Sequence, residues 1–387
     1  MNKVILILSL LTVCLLQVFQ VYALESENEA PALKLSKWLM NGPVKIEFDK
    51  KDKDADKKLF AIVFWGTWSS SCRDAVPLLM YLQKQYRDKG LKIIAVTRED
   101  ENSVTKFIES NQTINFGIVL DDQSISTLTY MGESRIFPKV FIIGNGNQIL
   151  WSGEAIDLST VLDKFYSGRF NLSKQREISK LSQELQIAML QSKNELVRSI
   201  AQRILEIDAE DGFAFRTMMF AYENDDKADE AIQFMSKMIK ENQKIARFNF
   251  IKIDFIARYP AFTKELLPMA ETFLTNFADN PAELNNLAWS LIDRFPYLPG
   301  TLEVAWKAAD KACKAVEKNG TGEQKSAYLN TMALIYYKCG MLQPAIDTQK
   351  KVSSLLKDNA AVQRNSALSL AYYESALKMQ QQLSNSR

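Results

Sequence analysis

Leu59-Phe-Ala-Ile-Val-Phe64 is an unbroken apolar run, and it passes directly into Trp65-Gly-Thr-Trp-Ser-Ser-Ser-Cys-Arg73. A short continuous run of this kind is what a strand buried on both faces requires. Beyond the turn, Val76, Leu79, Leu82 and Tyr86 recur at helical spacing across Asp74–Arg87, and Gly90 marks the end of that helix. A doubly buried strand that feeds straight into an amphipathic helix is the opening of a βα layer. It rules out an all-helical or all-β organisation for this part of the chain.

The alternation continues. Leu91-Lys-Ile-Ile-Ala-Val96 reads as the next strand, Val104–Glu109 as a helix, Gly117-Ile-Val-Leu120 as a short strand and Gln123–Met131 as another helix. Lys139-Val-Phe-Ile-Ile143, a turn at Gly144-Asn-Gly146 and Gln148-Ile-Leu-Trp151 read as a hairpin. Alternating βα units closed by an antiparallel hairpin specify an α/β layer sandwich. The segment before it, residues 24–58, holds Trp38-Leu-Met-Asn-Gly-Pro43 and a mixed charge run at Asp49–Lys58, which reads as a solvated loop.

From about residue 172 the texture changes to nearly uninterrupted helical periodicity. Tyr222 is followed nine residues later by Ala231-Ile232, and Tyr336 nine residues later by Ala345-Ile346, with Ala333 and Gly340 flanking the second copy. Leu329–Val352 resembles a tetratricopeptide repeat. Leu284–Trp289 opens a similar helix whose partner, Glu303–Glu317, comes after a turn containing Pro296 and Pro299, and Ala360–Leu383 suits a terminal capping helix. Such hairpins are apolar on a face they cannot bury alone, so they stack. A chain of 387 residues accommodates both regions as separate domains.

Lys3, the apolar run Val4–Val21 and Val21-Tyr22-Ala23 have the order of a cleavable export leader over residues 1–23. Val13 before Cys14, with further apolar residues after it, argues against a lipid-modified cysteine. Removing the leader and its Lys3 brings the net charge of +2 closer to zero, so nothing electrostatic calls for a nucleic-acid partner. Cys72, Cys313 and Cys339 then face an oxidising compartment as an odd set. Antiparallel helices turning near residue 320 would hold Cys313 and Cys339 too far apart to bond, so both are expected to be free and buried. The chain has no histidine, which removes Ser-His and Cys-His catalytic pairs and the commonest metal ligand. No metal site and no cofactor are expected.

The order of elements over residues 35–170 resembles the TlpA-like, or redoxin, branch of the thioredoxin superfamily. The resemblance rests on Trp65-Gly-Thr-Trp68, Arg73, Pro77, Ile136-Phe137-Pro138 directly before a strand, Trp151-Ser-Gly153 and Ser167-Gly-Arg-Phe170. In that family the turn reads W-C-x-x-C, and a cis-proline faces it. Here Ser69 takes the first cysteine's place, Cys72 the second, and Pro138 the place of the cis-proline. The resemblance implies an α/β thioredoxin-like sandwich, followed by an all-α helical-hairpin repeat array. The domains are then a leader at 1–23, an extension at 24–34, a thioredoxin-like domain at 35–171 and repeats at 172–387.

A family dithiol uses its first cysteine as a thiolate at a helix N-terminus and its second to resolve the mixed disulfide. Ser69 has no comparable anion at neutral pH and no histidine to activate it, so the ordinary dithiol cycle is excluded. The family's proton-handling carboxylate would fall at Val63 or Ala75, and neither carries one. Cys72 is thus either a buried small hydrophobe or a lone reactive thiol serving an oxidoreductase or peroxidase. Ser69–Ser71 can serve simply to cap the helix, with Asp74 completing a capping-box pair with Ser71. Trp68, Ser69, Phe137 and Pro138 are the candidate binding residues, because the family docks extended polypeptide there. Three functions are open: an exported, redox-inactive or weak binder of polypeptide partners, a thiol oxidoreductase acting on thiol-containing proteins through Cys72, or a repeat scaffold. The expected location is periplasmic or secreted, with no stable membrane insertion once the leader is removed.

Overall fold

A computed structural model describes residues 29–48, 55–132, 134–355 and 360–385. The leader at 1–23, the first part of the extension at 24–34 and most of the charge run at 49–58 lie outside the described residues.

The doubly buried strand is the middle of the structure. Strand β2 (Leu59–Phe64) is buried along its whole length and lies between β3 (Leu91–Thr97), its parallel neighbour, and β5 (Lys139–Gly144), antiparallel on the other side. With β1 (Leu35–Met40), β4 (Gly117–Asp121) and β6 (Gln148–Glu154) the sheet has the order β1-β4-β3-β2-β5-β6. Only β1 was not legible in the sequence. It pairs antiparallel with β4 at one edge of the sheet, through an irregular register, and leaves Ser36 and Lys37 exposed.

Because side chains alternate along a strand, β2 feeds two cores. Leu59, Ala61 and Val63 meet helix α1 (Ser70–Tyr86) through Cys72, Val76, Leu79, Leu82 and Tyr86, and helix α4 (Leu158–Tyr166) through Leu158 and Leu162. Phe60, Ile62 and Phe64 meet Tyr130 and Met131 of α3 (Ile125–Met131) on the opposite face. Helix α2 (Glu101–Ser110) comes after β3 and is capped by Asp100, which accepts from the Ser103 amide at 3.0 Å. Gln83 on α1 is buried and ties the helix to β3: its Nε2 donates to Leu91 O and its Oε1 accepts from Ile93 N, at 3.0 and 2.7 Å. The arrangement is a thioredoxin-like mixed α/β domain followed by a long all-helical region.

The chain divides into two compact units, 1–225 and 226–387. The first therefore includes helices α5 (Leu172–Leu190), α6 (Asn194–Ile207) and α7 (Gly212–Asn224) together with the sheet. Ion pairs tie the α6–α7 turn and α7 to the segment around α4. Lys164 meets Asp208 at 2.6 Å and Glu210 at 3.1 Å, while Arg216 grips Asp157 through both terminal nitrogens at 2.8 and 3.0 Å. The second unit contains α8 (Ala228–Glu241), α9 (Arg247–Arg258), α10 (Leu266–Asn276), α11 (Pro281–Arg294), α12 (Thr301–Val316), α13 (Gly322–Lys338), α14 (Leu342–Leu355) and α15 (Ala360–Asn385). Within it, Lys252 is buried and bonded to Glu265 and Ser236 at 2.6 and 2.7 Å.

Two cysteine expectations need correction. Cys313 and Cys339 are free, but Cys313 is only half-buried and Cys339 is exposed. Cys339 is the C-cap of α13 at the tip of a hairpin, where Lys338–Met341 are all exposed. Among the described residues, no helix is long and apolar enough to cross a membrane.

Asp211 caps α7, accepting from the Ala214 amide at 2.8 Å. Burial first, then Asp157 and Asp208, push its carboxyl from 3.8 up to about 6, against the Ala214 amide and Lys164. A folded value above the unfolded one favours the protonated folded state, so this contribution to stability is present below about pH 4 and lost as pH rises through about 6. Urea midpoints should therefore fall more between pH 4 and pH 7 in the wild type than in Asp211→Asn, which keeps a cap and removes the titration. Arg216→Ala removes the bidentate partner of buried Asp157 and is expected to cost about 3 kcal/mol in the same measurement.

Candidate functional site

The site is where β2 ends. Trp65, the next residue, still keeps to the sheet, its amide donating to Val96 O at 3.1 Å. The chain then turns, the Ser69 amide donating to Gly66 O at 3.2 Å, and α1 begins at Ser70. A Cβ at Gly66 would lie 2.3 Å from Nε1 of Trp68, whose exposed indole folds back across it, so a larger residue there would displace the indole.

Ser69 is the N-cap. Its hydroxyl accepts from the Cys72 amide at 3.4 Å and shares a hydrogen bond with Ser71 Oγ at 2.9 Å. The expected capping pair of Ser71 with Asp74 is not formed, because the helix starts two residues earlier than that pairing needs. Ser71 lies inside the first turn instead, and its hydroxyl donates to the carbonyl of Phe137 at 3.0 Å. That carbonyl belongs to the residue before Pro138, and the Phe137–Pro138 peptide is cis. The turn and the Pro138 loop, 66 residues apart at this contact, are thus joined directly.

Cys72 sits one turn inside, 1% exposed, in the core between α1 and the sheet. Burial pushes its thiol up, and the smaller lowering effects of the Ser69 hydroxyl, the Gly66 backbone and Arg73 do not reverse this. Arg73 turns its guanidinium back to Thr67 O at 2.7 Å. The helix N-terminus would favour a thiolate, and here desolvation outweighs it.

The structure adds an acid that sequence spacing does not reveal. Glu99 accepts from the Thr67 amide at 2.5 Å, the Thr67 hydroxyl at 2.7 Å and the Thr97 hydroxyl at 3.2 Å. Val63 and Ala75 are indeed without a carboxylate, yet a carboxylate stands at the turn, and its charge acts to raise the Cys72 thiol further. A signal for it existed. Phe64 and Val96 are register partners in parallel strands, so the residues three past each, Thr67 and Glu99, leave the sheet side by side.

The aromatic residues divide. Trp65 is buried and packs edge-on against Phe107, with ring centroids 5.4 Å apart. Trp68 is 61% exposed and meets the half-buried Phe137 edge-on at 5.8 Å. Arg98 lies over the Phe137 ring at 5.6 Å, and Ile136 beside it is exposed. Trp68, Ser69, Phe137 and Cys72 therefore come together at one end of the sheet, with Pro138 half-buried behind Phe137.

Residues 27–152 match the AhpC/TSA family. Over 117 residues the chain is 36% identical to thiol-disulfide oxidoreductase ResA of Bacillus subtilis, covering 30% of this chain and 62% of that protein. It is 27% identical over 98 residues to ResA of Bacillus cereus, covering 25% and 56%. StoA of Bacillus subtilis, a solved structure, aligns at 20% identity over 34% of this chain and 98% of its own, with a TM-score of 0.28. The chain spans from 40% to 62% of the length of the curated relatives it matches. Residues 27–152 are thus similar to the AhpC/TSA family and, over part of their length, to thiol-disulfide oxidoreductases.

Glu99→Ala removes two hydrogen bonds from Thr67 and is expected to destabilise the first unit by about 1 to 2 kcal/mol. The Thr67 amide should then exchange with solvent at least about tenfold faster, measured by native-state hydrogen exchange, with core amides of β2 less affected.

Proposed function

We propose that this protein is an exported binder of polypeptide partners whose thioredoxin-type site is redox-inactive or weakly active. The observation that carries the reading is the state of the turn. The residue in the nucleophile's place is a serine whose hydroxyl already caps the helix, and the remaining thiol is buried and raised. A disulfide exchange cycle needs an accessible thiolate and a second thiol to release the mixed disulfide. This turn has neither. Binding rests on other atoms, and those are present: the exposed Trp68 and Ile136 flank Phe137 at the cis-Pro138 loop.

The helical region, read as tetratricopeptide-like hairpins from about residue 172, supplies the second surface for such a partner. The leader at 1–23 directs the chain to the periplasm or beyond. The likeness to thiol-disulfide oxidoreductases supports a second reading, in which Cys72 alone exchanges with the thiol of a partner protein. The Ser69 and Gly66 groups that oppose the rise in the Cys72 pKa favour that alternative.

Insulin reduction with dithiothreitol recycling separates the two. The wild type is expected to add nothing to the uncatalysed rate, while Ser69→Cys, which places a thiol at the helix N-terminus three residues before Cys72, should raise turnover at least about tenfold. Wild-type turnover equal to that of Ser69→Cys, and abolished by Cys72→Ala, would establish the lone-thiol enzyme instead.

A further inference from the structure

Helix α15 is long for its setting. It has 26 residues against 14 in α14, the helix before it. Its inner face is accounted for: Ser366 and Tyr373 are buried, and Leu370, Tyr373 and Leu377 pack with Ala333, Ala345 and Ile346 of α13 and α14. Another face carries Leu368, Tyr372, Met379 and Leu383, exposed by 67, 62, 62 and 58%. At 3.6 residues per turn these four fall within an arc of about 60°, so they form one narrow straight stripe. Such a row of large apolar side chains on a helix surface marks an interaction face.

The stripe reads the same from both ends. Leu368 and Leu383 are its outer members, Tyr372 and Met379 its inner ones, and each pair is centred between Ser375 and Ala376. Two antiparallel copies with a two-fold axis at that point oppose Leu368 to Leu383 and Tyr372 to Met379, twice each. The small Ser375 and Ala376 let the helices approach at the axis. Between Leu368 and Leu383, the neighbours along this face, Ala371, Ser375, Ala376 and Gln382, carry no charge, so self-pairing there sets no like charges against each other. Self-complementarity of one patch about a two-fold axis is the requirement of an isologous dimer.

We propose that the stripe is a homodimer interface and that its occupant is the same helix of a second copy, antiparallel. Four side chains at these exposures offer roughly 500 Å² per copy, so the pair buries at most about 1,000 Å² through them, the lower bound for a specific interface. A contact this small is expected to be weak, so the dimer should dissociate on dilution. Tyr372 also touches Tyr337 of α13, with ring centroids 5.1 Å apart, which orients the phenol before the partner arrives.

Sedimentation velocity of the purified protein over a dilution series tests this. The wild type should pass from dimer to monomer, and Leu368→Glu or Leu383→Lys alone should remain monomeric, with unchanged helical circular dichroism. The double variant Leu368→Glu/Leu383→Lys should dimerise again, because in this register each new carboxylate faces a new ammonium of the other copy. As an independent check, Ser375→Cys in a Cys339→Ser background should form an intermolecular disulfide on mild oxidation. A wild type that stays monomeric, a dimer that survives Leu368→Glu, or no recovery in the double variant overturns the proposal.

Discussion

Strand β2 imposes its terms on everything around it. Six apolar residues with no polar face can lie only where both sides of a sheet are covered, so the chain must supply helices on each face and hydrogen-bonded strands on each edge. It does so with α1 and α4 on one side, α3 on the other, and β3 and β5 alongside. The functional turn arises where this strand stops. The residues after Trp65 leave the sheet beside those of the parallel neighbour, and the first turn of α1 exposes backbone amides that need acceptors. Ser69 accepts one of them, and Glu99 and the Phe137 carbonyl hold the rest of the turn in place.

That support has a chemical consequence. The features that keep the turn's shape do not make its thiol reactive. Glu99 fixes Thr67 and at the same time adds negative charge near Cys72, while the core packing that anchors α1 desolvates the sulfur. Shape and reactivity are separate properties of the turn, and the first is retained without the second. An exposed Trp68 packed on Phe137 at the cis-Pro138 loop is a surface that owes nothing to the thiol. The charged joint at Asp157, Lys164, Arg169, Asp208, Glu210 and Arg216 then carries the same unit on into helices.

Much of this was legible in the residues. Strand β2 matches its apolar run at both ends, and β3, β4 and the β5–β6 hairpin lie where alternation and Gly144–Gly146 place them, because buried strands leave a composition that solvent-facing segments cannot imitate. Strand β1 was not readable, since an edge strand with exposed Ser36 and Lys37 has no such signature. Three successive serines could not say which of them caps α1. Glu99 was invisible to a search for a carboxylate at fixed spacing from the cysteine, because it arrives through the pairing of two strands. Cys339 was misjudged as buried because it falls at the C-cap, past the packed turns of α13, and periodicity does not mark where a helix stops.

Cys72 is a buried thiol in a turn that keeps its shape through Ser69, Glu99 and the Phe137 carbonyl. Its alkylation rate in the native protein, resolved by mass spectrometry from those of Cys313 and Cys339 across a pH series, tests that most directly. Cys72 is expected to label far more slowly than exposed Cys339 at pH 7 and to gain reactivity at higher pH than an ordinary thiol, in keeping with its burial and raised pKa. Rapid labelling of Cys72 at pH 6, ahead of Cys339, would show an accessible thiolate and contradict it.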